Sequence, residues 1–252
     1  MIKAKLDKNS TMKKVCIVTG GSSGIGLSVC QLFEAQGYQV FNLDIKESSV
    51  GQFIYCDVSN VDNVEKAITE LSSEHTIDAL ICSAGIHVSA NIEATDEALL
   101  DKVFAINVKG AYAAIKASLP SMKKAEKGSI VLVSSDQAII GKRNSFAYNL
   151  SKASLASIAK TTALDYAQFN IRANAVCPGT IETPLYHHAI DKYCAASGAN
   201  KAEIHAEEEA LQPLNRLGKP EEVAHLISFL CSEHASFITG SLQTIDGGYT
   251  AQ

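Results

Sequence analysis

The chain has 252 residues, of which 46% are apolar, and a formal net charge of −5 at pH 7. This length and apolar content are enough for one large hydrophobic core, so we expect a single domain. The basic residues are scattered along the chain, which excludes the clustered positive surface needed to bind nucleic acid or an anionic membrane.

The first residues, 1–13, are polar, carry several lysines and contain no apolar run. They lack the hydrophobic stretch of a secretory signal, and no later segment approaches the ~20 apolar residues of a membrane span. We therefore expect a flexible N-terminal extension at 1–13 and one domain at 14–252, in a soluble, cytoplasmic protein.

Short apolar runs typical of strands alternate with longer stretches that have helical periodicity. The predicted strands are 15–19, 39–43, 53–55, 79–82, 130–133, 172–177 and 242–244. The predicted helices are 24–36, 61–73, 96–125, 147–168 and 220–231. The alternation predicts an α/β fold, a doubly wound, Rossmann-like parallel sheet of seven strands, with a ligand crevice at the carboxyl ends of the strands.

A glycine-rich turn at 19–26 follows the first predicted strand and leads into a helix. Its small residues let the backbone approach a pyrophosphate, and the helix directs unpaired N–H groups at the negative charge. The spacing Gly-x-x-x-Gly-x-Gly differs from the Gly-x-Gly-x-x-Gly of long-chain dehydrogenases, which indicates another family. The candidate cofactor-binding residues of this turn are Gly20, Ser22, Ser23, Gly24, Ile25 and Gly26.

Acidic residues end the second and third predicted strands. The Asp44 carboxylate can accept hydrogen bonds from both adenosine ribose hydroxyls and would repel a 2′-phosphate. No arginine lies in the glycine turn or directly after Asp44, although Lys46 is close, so we predict NAD rather than NADP. Asp57, with Val58 beside it, is placed to bond the adenine amino group. The alternative for each carboxylate is a helix cap.

Tyr148 and Lys152 lie one turn apart on a predicted helix and share a face. A nearby ammonium favours the ionised phenol, so we expect the pKa of Tyr148 to be lowered from its usual value of about 10. Ser135 ends the buried strand that precedes this helix, at the sheet edge where active sites lie. Tyr112 and Lys116 have the same spacing without such a serine, and we interpret that pair as structural.

Polar side chains after Ser135 predict a polar wall for the substrate pocket, and hence a sugar, polyol or hydroxy acid as substrate. The alternative is that these side chains simply face solvent. The wall comprises Asp136, Gln137, Lys142, Arg143 and Asn144, with His87, Tyr186 and His187 as further candidates. Of these, Gln137, His87 and Tyr186 join Ser135 and Tyr148 as the candidate substrate-binding residues.

The segment 182–217 is polar and poor in strand formers, and we predict that it forms a lid over the substrate. Its acidic run at 207–209 is interpreted as a solvated helix face. Adjacent histidines at 187–188 lack a third ligand at the spacing of zinc motifs, so we predict no metal. The chain has seven cysteines. None forms a Cys-x-x-Cys pair, and those in or beside strands are interpreted as small apolar core residues: Cys16, Cys56, Cys82 and Cys177.

Taken together, these motifs resemble the short-chain dehydrogenase/reductase family over about 14–249. The matching elements are the turn at 19–26, the segment 107–110, Ser135, Tyr148 with Lys152, Pro178 with Gly179, and Thr183. The resemblance implies that Tyr148 is the proton donor or acceptor and that Ser135 hydrogen-bonds the substrate oxygen. It also implies that Lys152 holds the nicotinamide ribose and that Asn107, at a helix break, anchors a water for proton relay.

The same resemblance implies that Ile181 and Thr183 fix the nicotinamide carboxamide, and that family members are homotetramers. The family's usual Asn-Asn-Ala-Gly segment is Cys-Ser-Ala-Gly at 82–85 in this chain. We expect this departure to alter cofactor affinity slightly and to leave catalysis intact, because Ala84 and Gly85 still allow backbone contact with the adenine ribose.

The sequence therefore predicts an NAD-dependent oxidoreductase that interconverts a secondary alcohol and a ketone. Two alternatives stay open. One is an NADPH-dependent ketoreductase acting on a carrier-bound 3-oxoacyl chain, which would use the same catalytic residues. The other, from a different class, is a non-catalytic regulatory protein that binds a dinucleotide.

Overall fold

A computed structural model describes residues 13–251 of the chain. The N-terminal extension predicted at 1–13 therefore lies, apart from Lys13, outside the described residues. None of the helices within this range is long and apolar enough to cross a membrane.

The structure confirms the seven predicted strands and their parallel arrangement in one sheet of order β3-β2-β1-β4-β5-β6-β7. The reversal of strand order beside β1 is the topological switch point at which ligands bind in open α/β sheets. The strands are β1 Val15–Thr19, β2 Gln39–Asp44, β3 Gln52–Tyr55, β4 Ile77–Cys82, β5 Gly128–Val133, β6 Ile171–Pro178 and β7 Leu242–Ile245.

The described residues form eight α-helices, of which the sequence pattern predicted most. The single helix predicted at 96–125 is divided into two by a π-helical turn, Ala105–Lys109. The helices are α1 Gly24–Ala35, α2 Val61–Glu74, α3 Glu97–Phe104, α4 Gly110–Ala125, α5 Phe146–Tyr166, α6 Pro184–Ser197, α7 Lys201–Leu211 and α8 Pro220–Cys231.

Helices α6 and α7 occupy the segment predicted as a lid, in which the sequence indicated a helix face only at 207–209. They carry a weak sequence signal because α6 buries Ile190 alone and α7 buries no residue fully. Their ends are nevertheless defined by capping: the Thr183 side chain accepts a hydrogen bond from the N–H of Tyr186, and Asn200 caps α7. Caps thus fix helices that burial does not specify.

The core lies on both faces of the sheet, because alternate strand residues point to opposite sides. On β1, Ile17 packs into the layer under α2, α4 and α5, whereas Cys16 and Val18 pack into the layer under α1 and α8. The four cysteines interpreted as apolar core residues are free and buried, as predicted. Packing on both faces holds the carboxyl ends of the strands in a fixed arrangement.

Candidate active site

A cleft of about 720 Å³ opens at the carboxyl edge of the sheet, between the glycine turn and helices α5 and α6. Nearly all of the predicted site residues line it, so the topology brings together motifs that are far apart in sequence. The predicted residues that line the cleft are Gly20, Ser23, Gly24, Ile25, Asp44, Asp57, Val58, Ala84, Gly85, His87, Ser135, Gln137, Tyr148, Lys152, Pro178, Gly179, Ile181, Thr183 and Tyr186.

Three predicted residues lie behind the cleft wall instead. Ser22 donates its hydroxyl proton to the Lys46 carbonyl, at 2.6 Å, and Gly26 packs against the backbone of Gly20. Asn107 is buried beneath the loop that follows β4. These residues shape the wall rather than face a ligand.

The glycine turn has the properties of a phosphate cradle. Gly20 adopts a φ of +71°, and a Cβ atom there would lie 2.6 Å from the Cα atom of Ala84, so only glycine fits this close approach. Helix α1 begins without a side-chain cap at Ser23 and without an acidic residue in its first turn. Its first N–H groups and its dipole are therefore available to an anion, and these residues fit a nucleotide pyrophosphate.

The Asp44 carboxylate is held in place by two backbone N–H groups, one in the glycine turn and one just after β2. Its Oδ2 accepts from Ser22 at 3.0 Å and its Oδ1 accepts from Lys46 at 3.0 Å. Each carboxylate oxygen retains a second lone pair for a ribose hydroxyl. The helix-cap alternative is wrong for Asp44, which ends β2 rather than beginning a helix.

Asp57 lines the cleft and closes a local turn directly after β3. Its Oδ1 accepts from the N–H of Ser59 at 2.9 Å and from the Ser59 hydroxyl at 2.7 Å. Asn60 provides the side-chain cap of α2, so Asp57 does not cap that helix. Val58 beside it is buried and packs against Gly110 at the start of α4.

Tyr148 and Lys152 share a face of α5, as the spacing predicted. The Lys152 Nζ lies 5.5 Å from the centroid of the Tyr148 ring and donates a hydrogen bond to the Val133 carbonyl at 2.8 Å. Burial lowers the pKa of Lys152 to about 8, because desolvation disfavours the ammonium. The lysine is therefore a buried cation at neutral pH.

The expected lowering of the Tyr148 pKa is wrong for this arrangement. Burial is the largest effect and raises the pKa of the phenol, and the negative charge of Asp136 raises it further. Only a hydrogen bond with Ser135 opposes them. The physical reason is that Lys152 donates to a backbone carbonyl rather than to the phenol. The cost of removing the phenolate from water therefore outweighs the attraction of the lysine charge.

Ser135 begins a short 3₁₀ turn, Asp136–Ala138, directly after β5. Its hydroxyl donates to Asp136 Oδ1 at 2.6 Å and accepts from the N–H of Gln137 at 3.1 Å. The Gln137 side-chain oxygen accepts from the Ser145 hydroxyl at 2.6 Å, which leaves its amide nitrogen for the cleft. Ser135 is thereby fixed in one orientation beside Tyr148.

Asn107 lies in the π-helical turn between α3 and α4, which confirms the predicted helix break. Its side chain accepts from the N–H of Ile86 at 2.8 Å and donates to the Ile86 carbonyl and to the Ser151 hydroxyl, each at 3.0 Å. Asn107 thus joins the loop after β4 to the helix that carries Tyr148.

His87 and Tyr148 form a T-shaped ring contact, with centroids 4.7 Å apart. Burial is the main cause that lowers the pKa of His87 to about 4, and the nearby ammonium groups of Lys142 and Lys152 act in the same direction. The imidazole is therefore neutral at physiological pH and can accept or donate a hydrogen bond in the cleft.

Residues at the mouth of the cleft connect α6 with α7, and connect α7 with the loops that follow β5 and β6. The Tyr186 hydroxyl lies 2.8 Å from Nδ1 of His205, which joins the two helices. Glu208 pairs with Lys142 at 3.3 Å and accepts from the Thr180 hydroxyl at 3.2 Å. The interpretation of the acidic run as a wholly solvated face is therefore wrong for Glu208, whose side chain is only 19% exposed.

Thr183 and Ile181 occupy the loop between β6 and α6. Thr183 is buried, caps α6 and donates to the Ile181 carbonyl at 3.3 Å, and it lies beside Gly24. The loop therefore sits next to the glycine turn.

The remaining Tyr-x-x-x-Lys pair lies on the surface. Tyr112 is exposed on α4, and Lys116 pairs with Glu65 at 2.8 Å. Within residues 13–251, no cluster of three or more His, Cys, Asp or Glu side chains has the arrangement of a metal site.

The structure also reveals site residues that sequence reasoning did not select. The Ser134 hydroxyl donates to the Lys152 carbonyl at 2.7 Å, and Ser151 joins Asn107 to α5. Serine at a strand end and small polar residues in a helix are too common to signal these roles. Asp136 was predicted only as part of a polar wall. Its position directly after Ser135 was the sequence signal that could have indicated its contact with that serine.

The chain is similar to characterised proteins over nearly its whole length. A family described as enoyl-(acyl carrier protein) reductase matches residues 20–250. Cyclopentanol dehydrogenase of Comamonas sp. is 34% identical over 252 residues, covering 94% of this chain and 97% of the relative.

Solved structures agree with this assignment. A short chain dehydrogenase family protein from Francisella tularensis is 37% identical, with a TM-score of 0.88 and coverage of 95% of this chain and 100% of that protein. Thermoplasma acidophilum aldohexose dehydrogenase is 37% identical, with a TM-score of 0.89 and coverage of 95% of both chains. With the cleft geometry above, the chain therefore belongs to the short-chain dehydrogenase/reductase family, NAD(P)-dependent oxidoreductases that act on CH–OH groups.

Proposed function

We propose that this enzyme uses NAD to interconvert a polar secondary alcohol and the corresponding ketone. The observation that carries the proposal is the convergence of Ser135, Tyr148 and Lys152 with an uncapped glycine turn in one cleft. When bound, the nicotinamide nucleotide accepts or supplies the hydride. The protein's own residues position the carbinol oxygen and move its proton.

Tyr148 exchanges the proton of the substrate oxygen. Ser135 holds that oxygen in place with its hydroxyl proton, which turns to the substrate from Asp136 Oδ1. Because burial keeps the proton on the phenol, Tyr148 is prepared to donate to a carbonyl oxygen. The buried Lys152 ammonium stabilises the phenolate that this donation leaves behind, and in the oxidative direction it stabilises the phenolate that accepts the carbinol proton. These groups act where charge changes in the transition state, which is where electrostatic stabilisation is most effective.

Asn107 positions this machinery rather than contacting the substrate. It links Ile86, beside the nicotinamide end of the cleft, to Ser151 on α5. The π-helical turn leaves backbone groups of 105–109 outside regular α-helical bonding. A water anchored at the Asn107 carbonyl would connect Lys152 to solvent, in agreement with the role that the resemblance implies.

The preference for NAD rests on Asp44. Two backbone N–H groups fix its carboxylate at the adenosine end of the cleft, where a 2′-phosphate would meet a negative charge. Asp57 adds a second carboxylate at the same end, near Val58. We assign Ala84 and Gly85, which also line the cleft, to backbone contacts with the adenine ribose. At the nicotinamide end we assign the residues that end and follow β6 in the same cleft: Pro178, Gly179, Ile181 and Thr183.

The polar substrate class rests on the other end of the cleft. His87, Gln137 and Tyr186 line it, together with the charged side chains of Lys142 and Asp136. The aldohexose dehydrogenase named above acts on a polyhydroxylated compound, which agrees with this wall. Helices α6 and α7 serve as the lid predicted at 182–217, and Glu208 on α7 contacts the loops that follow β5 and β6.

A second candidate is the NADPH-dependent reduction of a carrier-bound 3-oxoacyl chain. The 35% identity of this chain, over 251 residues, to the 3-oxoacyl-[acyl-carrier-protein] reductase of Thermotoga maritima favours it. Asp44 opposes it, because the carboxylate disfavours NADPH.

We also propose a cytoplasmic homotetramer. All seven cysteines are free, as expected in a reducing compartment. Leu164 on α5 is 81% exposed, and Leu150 on α5 and Tyr112 on α4 are also exposed. This apolar surface on α4 and α5 is suited to contact with a second copy of the chain, which light scattering would test.

An alcohol screen tests the proposed function directly. Purified enzyme would be assayed by NADH absorbance with polyols, sugars, hydroxy acids and long apolar alcohols, each with NAD and with NADP. We expect NAD-dependent turnover of polar alcohols. A preference for NADP together with activity on acyl thioesters would support the second candidate instead.

A further inference from the structure

A buried carboxylate lies at the reacting end of the cleft, next to the serine that holds the substrate oxygen. Asp136 is 7% exposed and lines the same cleft as Ser135 and Tyr148. Its Oδ1 accepts from the Ser135 hydroxyl at 2.6 Å and from the N–H of Gln137 at 2.8 Å. One of its two oxygens is thereby committed to shaping the site.

The other oxygen, Oδ2, accepts no hydrogen bond from residues 13–251, and it is not among the fully enclosed polar atoms there. The charged neighbours of Asp136 do not satisfy it. Lys142 is paired with Glu208, and the Asp246 carboxylate accepts from Thr250 and from the N–H of Gly248. Oδ2 is therefore an acceptor open to the cleft.

A carboxylate oxygen in this position favours a ligand that can donate to it. Burial raises the pKa of Asp136, because removal from water disfavours the charged form. Once a substrate displaces water from the cleft, an acceptor without a partner is unfavourable, whereas a hydrogen bond to a charged group is stronger than one between neutral groups. A donor on the substrate would supply the missing partner.

We propose that Asp136 Oδ2 accepts a hydrogen bond from a hydroxyl on the carbon next to the reacting carbinol, so that the substrate is a vicinal diol. This inference rests on the proposed function and narrows its substrate class. Polyols and sugars contain such a diol. A 2-hydroxy acid is disfavoured, since its carboxylate would lie against that of Asp136.

The geometry of a vicinal diol suits the adjacent side chains of Ser135 and Asp136. In the proposed function the carbinol oxygen is held at Ser135 and Tyr148, and Oδ1 of Asp136 lies only 2.6 Å from the Ser135 hydroxyl oxygen. In a gauche conformer, the two oxygens of a vicinal diol lie within hydrogen-bond distance of each other. The second hydroxyl can thus reach Asp136 while the first stays at Ser135.

Matched alcohol pairs test this with the wild-type enzyme and NAD. Each pair has one carbon skeleton: cyclopentanol against cyclopentane-1,2-diol, and butan-2-ol against butane-2,3-diol, with 2-hydroxybutanoate as the anionic analogue. We expect kcat/KM for the diol to exceed that for the mono-alcohol by about 10-fold or more, as for one charged hydrogen bond. The hydroxy acid should be poorer than the diol.

Two variants then assign the effect to one residue. In Asp136→Asn the ratio of diol to mono-alcohol kcat/KM should fall to about 2-fold or less, because an amide is a weaker acceptor. Any disturbance of Ser135 affects both members of a pair, so the ratio isolates the second hydroxyl. The matched control is Glu207→Gln, which removes a carboxylate from the same cleft and should keep the wild-type ratio.

Titration of NADH fluorescence shows whether Asp136→Asn retains the folded nucleotide site, and the wild-type pairs decide the question even if it does not fold. Equal kcat/KM for diol and mono-alcohol in the wild type overturns the inference and leaves the proposed function standing. A ratio that survives Asp136→Asn, or that is lost equally in Glu207→Gln, also overturns it. Absence of nucleotide-dependent turnover with every alcohol overturns the proposed function and the inference with it.

Discussion

The Lys152 ammonium lies 5.5 Å from the centroid of the Tyr148 ring but donates its hydrogen bond to a backbone carbonyl, that of Val133. The two side chains are close enough for the cation to act on a developing phenolate. They are not arranged to ionise the phenol in advance, because burial raises the pKa of Tyr148. Their separation therefore favours stabilisation of charge during the reaction over a permanently ionised tyrosine.

Replacing Tyr148 with phenylalanine should abolish proton exchange and leave the nucleotide site intact. We expect turnover to fall about 10²–10⁴-fold, the usual contribution of a general acid or base. NADH absorbance measures the loss, and NADH fluorescence titration should show unchanged binding. Turnover equal to that of the wild type would show that another group moves the proton.

Replacing Lys152 with methionine should change how stability depends on pH. The folded pKa of about 8 lies below the ordinary value of 10.5, so the folded state binds fewer protons between these values. The unfavourable burial of the ammonium is complete below pH 8 and disappears as the pH rises to 10.5. The Tm of the variant relative to the wild type should therefore decrease between pH 8 and 10.5, and a constant difference would contradict the assignment.

His87 should make the wild-type enzyme sensitive to acid. Its folded pKa of about 4 is below its ordinary 6.5, so stability present above pH 6.5 is lost as the pH falls toward 4. His87→Phe keeps an aromatic ring beside Tyr148 but cannot be protonated. Melting curves should show the Tm of the variant rising relative to the wild type over that range, whereas parallel curves would argue against a buried neutral imidazole.

Alanine substitutions at two glycines with positive φ, Gly37 and Gly20, distinguish the cost of backbone strain from the cost of a steric clash. Gly37→Ala introduces only strain, because nothing lies within 4 Å of its added Cβ, and should destabilise the protein by about 1 kcal/mol. Gly20→Ala also drives a Cβ against Ala84, for a further ~1–3 kcal/mol. Urea unfolding measures both variants. NADH binding should weaken in Gly20→Ala alone, and equal effects would refute the tight approach at the cradle.

Asp44→Asn tests the nucleotide preference. The substitution keeps one acceptor oxygen for the loop but removes the charge that opposes a 2′-phosphate. The ratio of kcat/KM for NAD to that for NADP should fall at least about 10-fold, as for the loss of one charged hydrogen bond. Lys46→Gln is the matched control on the same loop and should move the ratio toward NAD. An unchanged ratio in Asp44→Asn would remove Asp44 from cofactor selection.

Some of the site could be predicted because its residues are tied to local structure. Ser135 ends a strand, Gly20 follows one, and Tyr148 and Lys152 are spaced by one helical turn. In a parallel sheet these strand ends meet at one edge, so topology alone brings the residues together. The prediction was wrong for the pKa of Tyr148, since a spacing does not reveal burial or the partner of Lys152.

Helices α6 and α7 show what the sequence pattern could not predict. The sequence indicated a polar segment after β6 with a helix face only at 207–209, because α7 fully buries no side chain and so carries no apolar stripe. Glu208 contacts Lys142 and Thr180, which lie 66 and 28 residues away along the chain. No local pattern records such a contact.

By itself, the sequence determined the parallel sheet, the position of the glycine turn and the candidate reacting side chains at the strand ends, because hydrophobic periodicity and strand-end motifs act locally. Only the tertiary structure decided the direction in which the pKa values of Tyr148 and Lys152 shift. It also decided that Asp136 accepts a hydrogen bond from Ser135 while its other oxygen faces the cleft, and that Glu208 on α7 contacts Lys142 and Thr180. Those properties depend on desolvation and on contacts between distant residues, which exist only once the chain has folded.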